Sequence, residues 1–172
     1  QEHQVMCLSH DWFPGARAEI EDFVPHWAEL KPLEWVEIPE NCNWKVSVEN
    51  YSECYHCSLN HPTFATGVIK PETYDIQPQG HCLRHTTECQ NLDHMSYPID
   101  LASNEHAGEY SSWFLWPAFS FQVYPGNVLN TYHWRAHDVD RHPGLLGADP
   151  RRLGGGGLVA RLAHLSHRPR LR

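Results

Sequence analysis

All seven tryptophans, seven tyrosines and six phenylalanines of this 172-residue chain lie before residue 141. Large aromatic side chains dominate the energetics of a core, so any core must be built from the first 140 or so positions. Charge divides at the same place. Residues 1–140 carry six Lys and Arg against twenty Asp and Glu, a formal −14, whereas residues 141–172 carry seven against one, a formal +6. The tail consists largely of Arg, Leu, Gly and His, with four consecutive glycines at 154–157. A segment of that composition buries little apolar surface, so residues 141–172 are expected to be disordered or poorly packed. Two origins fit the abrupt change: a basic tail that touches an anionic partner, or a stretch translated in a non-native frame.

The overall charge of −8 makes nucleic acid an unsuitable partner. No apolar run approaches the roughly 18 residues of a membrane span. Six cysteines in 172 residues are too few for a disulfide scaffold, and no basic-then-apolar leader precedes them, so a reducing cytoplasm is the expected compartment. Residues 1–11 form a doubtful N-terminal segment and residues 12–140 the folded body.

Within the body, Pro14-Gly15 followed by Ala16–Phe23 predicts a turn and a short helix that ends near Pro25, with Ile20 and Phe23 as its packing residues. Leu33 to Ile38 reads as a short strand. Asn43 to Asn60 contains neither Gly nor Pro and predicts one helix, ended by Pro62 because His61 is pushed out of the helical region. Three later stretches, about 74–90, 109–124 and 128–138, read as strands, with a strong turn at Tyr124-Pro125-Gly126-Asn127. One long helix followed by a run of strands points to an α+β fold with an antiparallel sheet.

Candidate chemistry concentrates between Asn43 and Pro62. On a straight helix Asn50, Glu53, His56 and Asn60 share a face, while His61 lies about 140° from His56. Both imidazoles reach one ion only if the last turn widens or unwinds ahead of Pro62. Two imidazoles and a carboxylate on one face of a metal suit a redox-active ferrous ion with open positions. A competing reading gives Cys54, Cys57, His56 and His61 to a structural Zn²⁺, or pairs Cys54 with Cys57 as a redox couple. A third is a non-catalytic module that binds a cation on aromatic faces.

The string Asn43-Trp44-Lys45, Glu49-Asn50-Tyr51, Glu53-Cys54-Tyr55-His56 and His61-Pro62 resembles the mononuclear-iron motif of Rieske-type ring-hydroxylating oxygenase alpha subunits, in the branch that acts on quaternary ammonium compounds. The resemblance runs from about Trp12 to Asp140. It implies a truncated helix-grip-like catalytic domain, with His56 and His61 as Fe(II) ligands. Glu53 matches the acidic residue that bridges electron transfer from the Rieske cluster of a neighbouring subunit, and Asn50 the asparagine near the iron. It further implies a 2Fe–2S cluster in the full-length protein, NAD(P)H electrons delivered by a separate reductase, and a homotrimer. The stretch Thr63–Tyr74 is most similar to that of stachydrine, glycine betaine or carnitine oxygenases. In those enzymes O₂ is activated at Fe(II), an N-methyl or nearby carbon is hydroxylated, and an N-methyl carbinolamine releases formaldehyde.

A quaternary ammonium group makes no hydrogen bonds, so aromatic faces and diffuse negative charge must hold it. Tyr51, Phe64, Trp116 and Phe121 are the candidate substrate-binding residues, with Tyr55, Trp113 and Phe119 as further possible walls. Departures from the family pattern are also present. The Rieske ligand pairs are absent, because Cys7-Leu8-Ser9-His10 and Cys54-Tyr55-His56 stand in the wrong order. The family's downstream aspartate ligand has no counterpart, since no Asp or Glu follows Asp149. The chain as written is therefore expected to be an inactive fragment of an oxygenase subunit.

Overall fold

A computed structural model describes residues 13–40, 42–136 and 158–166. Helix α1 (Ala16–Phe23) begins after Gly15, whose φ of 80° is the left-handed conformation that glycine adopts at least cost. Its buried residues are Ala16, Ile20 and Phe23, spaced four and three apart, so that one stripe meets the core. After a 3₁₀ turn at Trp27–Glu29, β1 (Lys31–Glu40) extends beyond the strand expected at 33–38. Three short helices follow: α2 (Trp44–Tyr51), α3 (Cys57–Asn60) and α4 (Pro62–Gly67). The remaining strands are β2 (Asp75–Gln79), β3 (Cys82–Glu88), β4 (Glu109–Leu115), β5 (Phe119–Tyr124), β6 (Val128–Ala136) and β7 (Leu158–Ser166).

All seven strands form one antiparallel sheet in the order β1-β7-β6-β5-β4-β3-β2, which gives the α+β architecture expected. Two of the three expected strand stretches are hairpins. The 74–90 stretch turns at Gly80-His81, where Gly80 has φ 61°, and the 109–124 stretch turns over Trp116–Ala118. The turn expected at 124–127 is present, with Gly126 and Asn127 both at positive φ.

The basic tail departs from expectation over residues 158–166. This segment lies between β1 and β6 and pairs with both. Six of its nine residues are Leu, Val or Ala and none is Gly or Pro, a local pattern that the glycine-rich average of the tail conceals. Residues 1–12, 137–157 and 167–172, which include the doubtful N-terminal segment and the rest of the tail, lie outside the described residues.

Strand periodicity sorts the core into two sides. Trp113, Leu115, Phe121, Val123 and Leu129 pack with α1 on one face of the sheet. The Trp113 indole N–H donates to Glu19 on α1 at 2.8 Å, which satisfies the buried ring's polar edge. Phe114 and Trp134 face the other way, against Val48, Trp44 and Tyr51 of α2. Beside them Tyr110 and Tyr124 pack with Phe64 and Ile69. This second face carries the candidate site.

Candidate functional site

The predicted continuous helix over 43–60 is interrupted, and side chains within it cause the break. Asn43 caps α2 by accepting the Lys45 N–H at 3.0 Å. At the other end the Ser52 hydroxyl donates to the Val48 carbonyl at 2.7 Å. The Glu53 carboxylate then accepts the backbone N–H of Tyr55 and lies 2.6 Å from His56 Nδ1. Polar side chains that capture nearby backbone groups compete with the helical ladder in this way. A Cys54–Cys57 disulfide spans the turn, with the two Cα atoms 5.0 Å apart.

α3 is a single turn, and His61 stands at its end with φ −125° and ψ 56°, outside helical space. Pro62 opens α4, where its missing N–H would be unpaired in any case. Unwinding ahead of Pro62 brings the two imidazoles together despite their five-residue separation. Their ring centroids are 5.0 Å apart and the planes meet at 77°.

Glu53 sets the state of the His56 ring. The short contact assigns the Nδ1 proton to a bond donated to the carboxylate, which leaves the Nε2 lone pair free. The Asn50 amide lies 3.3 Å from the same nitrogen, so Asn50, Glu53 and His56 form one cluster. Desolvation pushes the Glu53 carboxyl up, but hydrogen bonds from His56 and from the Tyr55 N–H outweigh it and hold the group below the usual carboxylate range. A second imidazole beside a ring oriented in this manner fits the donor set of a divalent transition metal. Among the described residues, the one cluster of three potential ligands within 4.8 Å of one another is Asp22, Glu105 and His106, so His56 and His61 stand as a pair. With Cys54 and Cys57 bonded to each other, neither offers a thiolate to zinc, which removes the Cys₂His₂ alternative.

Both histidines line a cavity of about 730 Å³ between the helices and the sheet. The sheet contributes His85 from β3, Tyr110 and Ser112 from β4, Gln122 and Tyr124 from β5, and Tyr132 and Trp134 from β6. Asn50, Tyr51 and Glu53 from α2 and its following turn, Phe64 from α4 and Glu40 from β1 are among the other lining residues. Tyr51 is the central wall residue. Its ring lies 4.9 Å from Trp134 and 5.8 Å from Tyr132, and its hydroxyl lies 2.6 Å from Ser112 Oγ and accepts from Gln122 Nε2 at 3.0 Å. Burial pushes the Tyr51 phenol up to about 12, with the hydrogen bonds to Ser112 and Gln122 opposing, so it stays neutral at physiological pH. Glu40 and Glu53 are the acidic lining residues, and no Lys or Arg lines the cavity among the described residues.

Of the expected substrate-binding residues, Tyr51 and Phe64 line the cavity, whereas Trp116 and Phe121 do not. Phe121 is paired with Trp113 and shares its face, so both point toward α1. Phe119 packs on that same cluster. Trp116 sits in the β4–β5 turn, 50% exposed, against Trp44 and Phe114. Tyr55 is 93% exposed and outside the cavity. The residues missed were Tyr74, His85, Tyr110, Ser112, Gln122, Tyr124, Tyr132 and Trp134. Strand parity was the available signal, because a choice of the wrong alternate residue moves every side chain to the opposite face.

Comparison with known proteins identifies the family and the fold. Residues 27–142 match the family model described as ring hydroxylating alpha subunit (catalytic domain). The carnitine monooxygenase oxygenase subunit of Acinetobacter baumannii is 33% identical over 130 residues, covering 76% of this chain and 34% of that protein. The chain thus spans about a third of the length of this curated relative. Among solved structures, the quaternary ammonium Rieske monooxygenase CntA in complex with an inhibitor superimposes with a TM-score of 0.71 at 19% identity, over 99% of this chain and 39% of that one. A second structure of a quaternary ammonium Rieske monooxygenase, described in terms of carnitine oxidation and inter-subunit electron transfer, gives 0.70 at 18% identity over 99% and 40%. These likenesses show the fold, and the sequence matches show the family. With its paired histidines set over the antiparallel sheet, the chain belongs to the ring-hydroxylating oxygenase alpha subunits, within their catalytic domain.

Proposed function

We propose that this chain is the metal- and substrate-binding portion of a non-haem Fe(II) monooxygenase subunit that hydroxylates or N-demethylates a small quaternary ammonium compound. One observation carries the reading: His56 and His61, with Glu53 on the Nδ1 of the first, open into a cavity walled by tyrosines and a tryptophan. His56 and His61 would hold the iron, which when bound supplies the activation of O₂ and the oxidation of a C–H bond. Glu53 fixes the tautomer and orientation of His56, and in this reading it would relay the electron that arrives from a neighbouring subunit. Asn50 packs at the same ring. Tyr51 and Phe64, with Tyr132 and Trp134, present aromatic faces to the cation, while Glu40 and Glu53 supply negative charge without a competing Lys or Arg. A 2Fe–2S cluster, a reductase fed by NAD(P)H, a trimeric assembly and a cytoplasmic location belong to the same proposal. No helix of the described residues is long and apolar enough to cross a membrane.

Equilibrium dialysis of radiolabelled butyltrimethylammonium against the chain tests the reading. Saturable binding that is abolished by Tyr132→Ala and retained in Phe121→Ala is expected, because these two aromatics lie on opposite faces of the sheet. No binding, or equal loss in both variants, would overturn it.

A further inference from the structure

The aromatic walls of the cavity belong to two separate packing clusters. Tyr51 and Tyr132 pack on Phe114 and Trp134 in one, whereas Phe64 and Tyr124 pack on Ile69 and Tyr110 in the other. Ring contacts follow the same division. Tyr51 lies 4.9 Å from Trp134 and 5.8 Å from Tyr132, while Tyr124 lies 5.2 Å from Tyr110 and 6.3 Å from Phe64. The cavity is lined by both groups, so its width depends on how far apart they are held.

Gln122 spans the two groups. It lies on β5, is 7% exposed and lines the cavity. Its Nε2 donates to Tyr51 Oη at 3.0 Å, and its Oε1 accepts from Tyr124 Oη at 3.2 Å. Phenols donate as well as accept, so the bridge forms with either orientation of the amide. The Tyr124 end is local, since residues two apart on a strand share a face, whereas the Tyr51 end crosses from the sheet to α2 over a separation of 71 residues. A buried amide bonded at both ends resists displacement, because each bond broken there leaves a polar atom unpaired.

An alkylammonium head touches rings of both groups at once only where the gap matches its diameter, and a bulkier head must push the groups apart. Gln122 opposes such widening, since separating Tyr51 from Tyr124 breaks the bridge. We propose that Gln122 is a specificity-determining residue: by tying Tyr51 to Tyr124 it sets the spacing of the two aromatic groups, and thereby the size of the alkylammonium head that the cavity accepts. This rests on the quaternary ammonium reading above and adds the side chain that limits the bulk of the head.

Calorimetric titration of the full 172-residue chain with butyltrimethylammonium and butyltriethylammonium separates the claims. The two probes share a charge and a chain and differ in the size of the head. The parent is expected to prefer the trimethyl head by about tenfold or more. Gln122→Met keeps the reach of the side chain and removes both bonds, so the preference falls to about twofold or less. Gln122→Glu retains a group that bonds both phenols and keeps the preference, its charge acting on both probes alike. In a Tyr51→Phe background, where the bridge is already gone, Gln122→Met changes the preference no further. Equal binding of both probes by the parent, a preference that survives Gln122→Met, or one that is lost in Gln122→Glu overturns the role of Gln122 and leaves the cation-binding reading intact. Failure of the parent to bind either probe overturns both. Tyr124→Phe opens the other end of the bridge and keeps the ring, so it gives the answer where Gln122→Met fails to fold: a lowered preference supports the proposal, and an unchanged one overturns it.

Discussion

His85 makes the stability of this fold depend on pH in a direction and amount that follow from its burial. Folding takes the imidazole out of water beneath Tyr51 and Tyr74 and lowers its proton affinity from the ordinary 6.5 to about 4, desolvation being the cause. Between those two values the unfolded chain binds a proton that the folded chain refuses, so stability is complete above the unfolded pKa and is lost as pH falls toward the folded one. The full shift corresponds to about 3 kcal/mol, and about 2 kcal/mol of it is lost between about pH 7.5 and about pH 5. Urea unfolding followed by tryptophan fluorescence at these two pH values measures the difference for the parent and for His85→Gln. Each protein is compared with itself, so a constant cost of the substitution cancels. The pH-dependent loss in His85→Gln is expected to be smaller than in the parent by about 2 kcal/mol. His106 works in the opposite sense: although burial opposes it, hydrogen bonds to Glu109 and Asp22 raise its pKa, so its contribution is present in acid and lost as pH rises. It contributes equally to both proteins and drops out of the comparison. An identical pH dependence in the two would show that His85 is not buried as a neutral ring, and would refute the reasoning.

Other perturbations read separate parts of the molecule. Phe121→Ala removes a ring from the cluster under α1 and should cost about 3 to 4 kcal/mol in urea unfolding, without weakening the binding of a quaternary ammonium ion. Glu53→Gln removes the carboxylate from His56 Nδ1 and should weaken metal binding by about 10- to 100-fold, measured by competition with a chromogenic chelator. Cys54→Ser combined with Cys57→Ser removes the disulfide across the turn and should leave metal stoichiometry unchanged, since neither sulfur is available as a ligand. Loss of metal in that double variant would restore the thiolate reading.

Much of the architecture was legible where local chemistry decides structure. The apolar stripe of α1 and the Pro125-Gly126-Asn127 turn are set by residues adjacent in sequence, and both stand where expected. The hairpin turns at Gly80 and Pro117 were missed because each lies inside a longer β-prone run, and only the antiparallel register of β2 with β3 and of β4 with β5 reveals them. The helix through 43–60 failed for a different reason. Absence of Gly and Pro permits a helix, but Ser52 and Glu53 bind the backbone themselves, and that competition depends on side-chain rotamers that a periodicity argument does not contain. The paired histidines were legible from their motif, as were Tyr51 and Phe64 among the cavity walls, while the walls that the sheet supplies were not. Trp113 and Phe121 are as aromatic as Tyr132 and Trp134, and the difference between core and cavity is one residue of strand parity. The strand at 158–166 was hidden by the composition of the tail around it.

The central claim is that His56 and His61 together hold a metal over the aromatic cavity. Elemental analysis of the anaerobically purified chain after incubation with Fe(II) and gel filtration tests it most directly, with His56→Ala and His61→Ala as controls. Iron at about one per chain is expected, and its loss in each variant should be near complete, because each variant removes one of the two imidazole ligands. An iron-free parent, or iron that persists in both variants, would contradict the account.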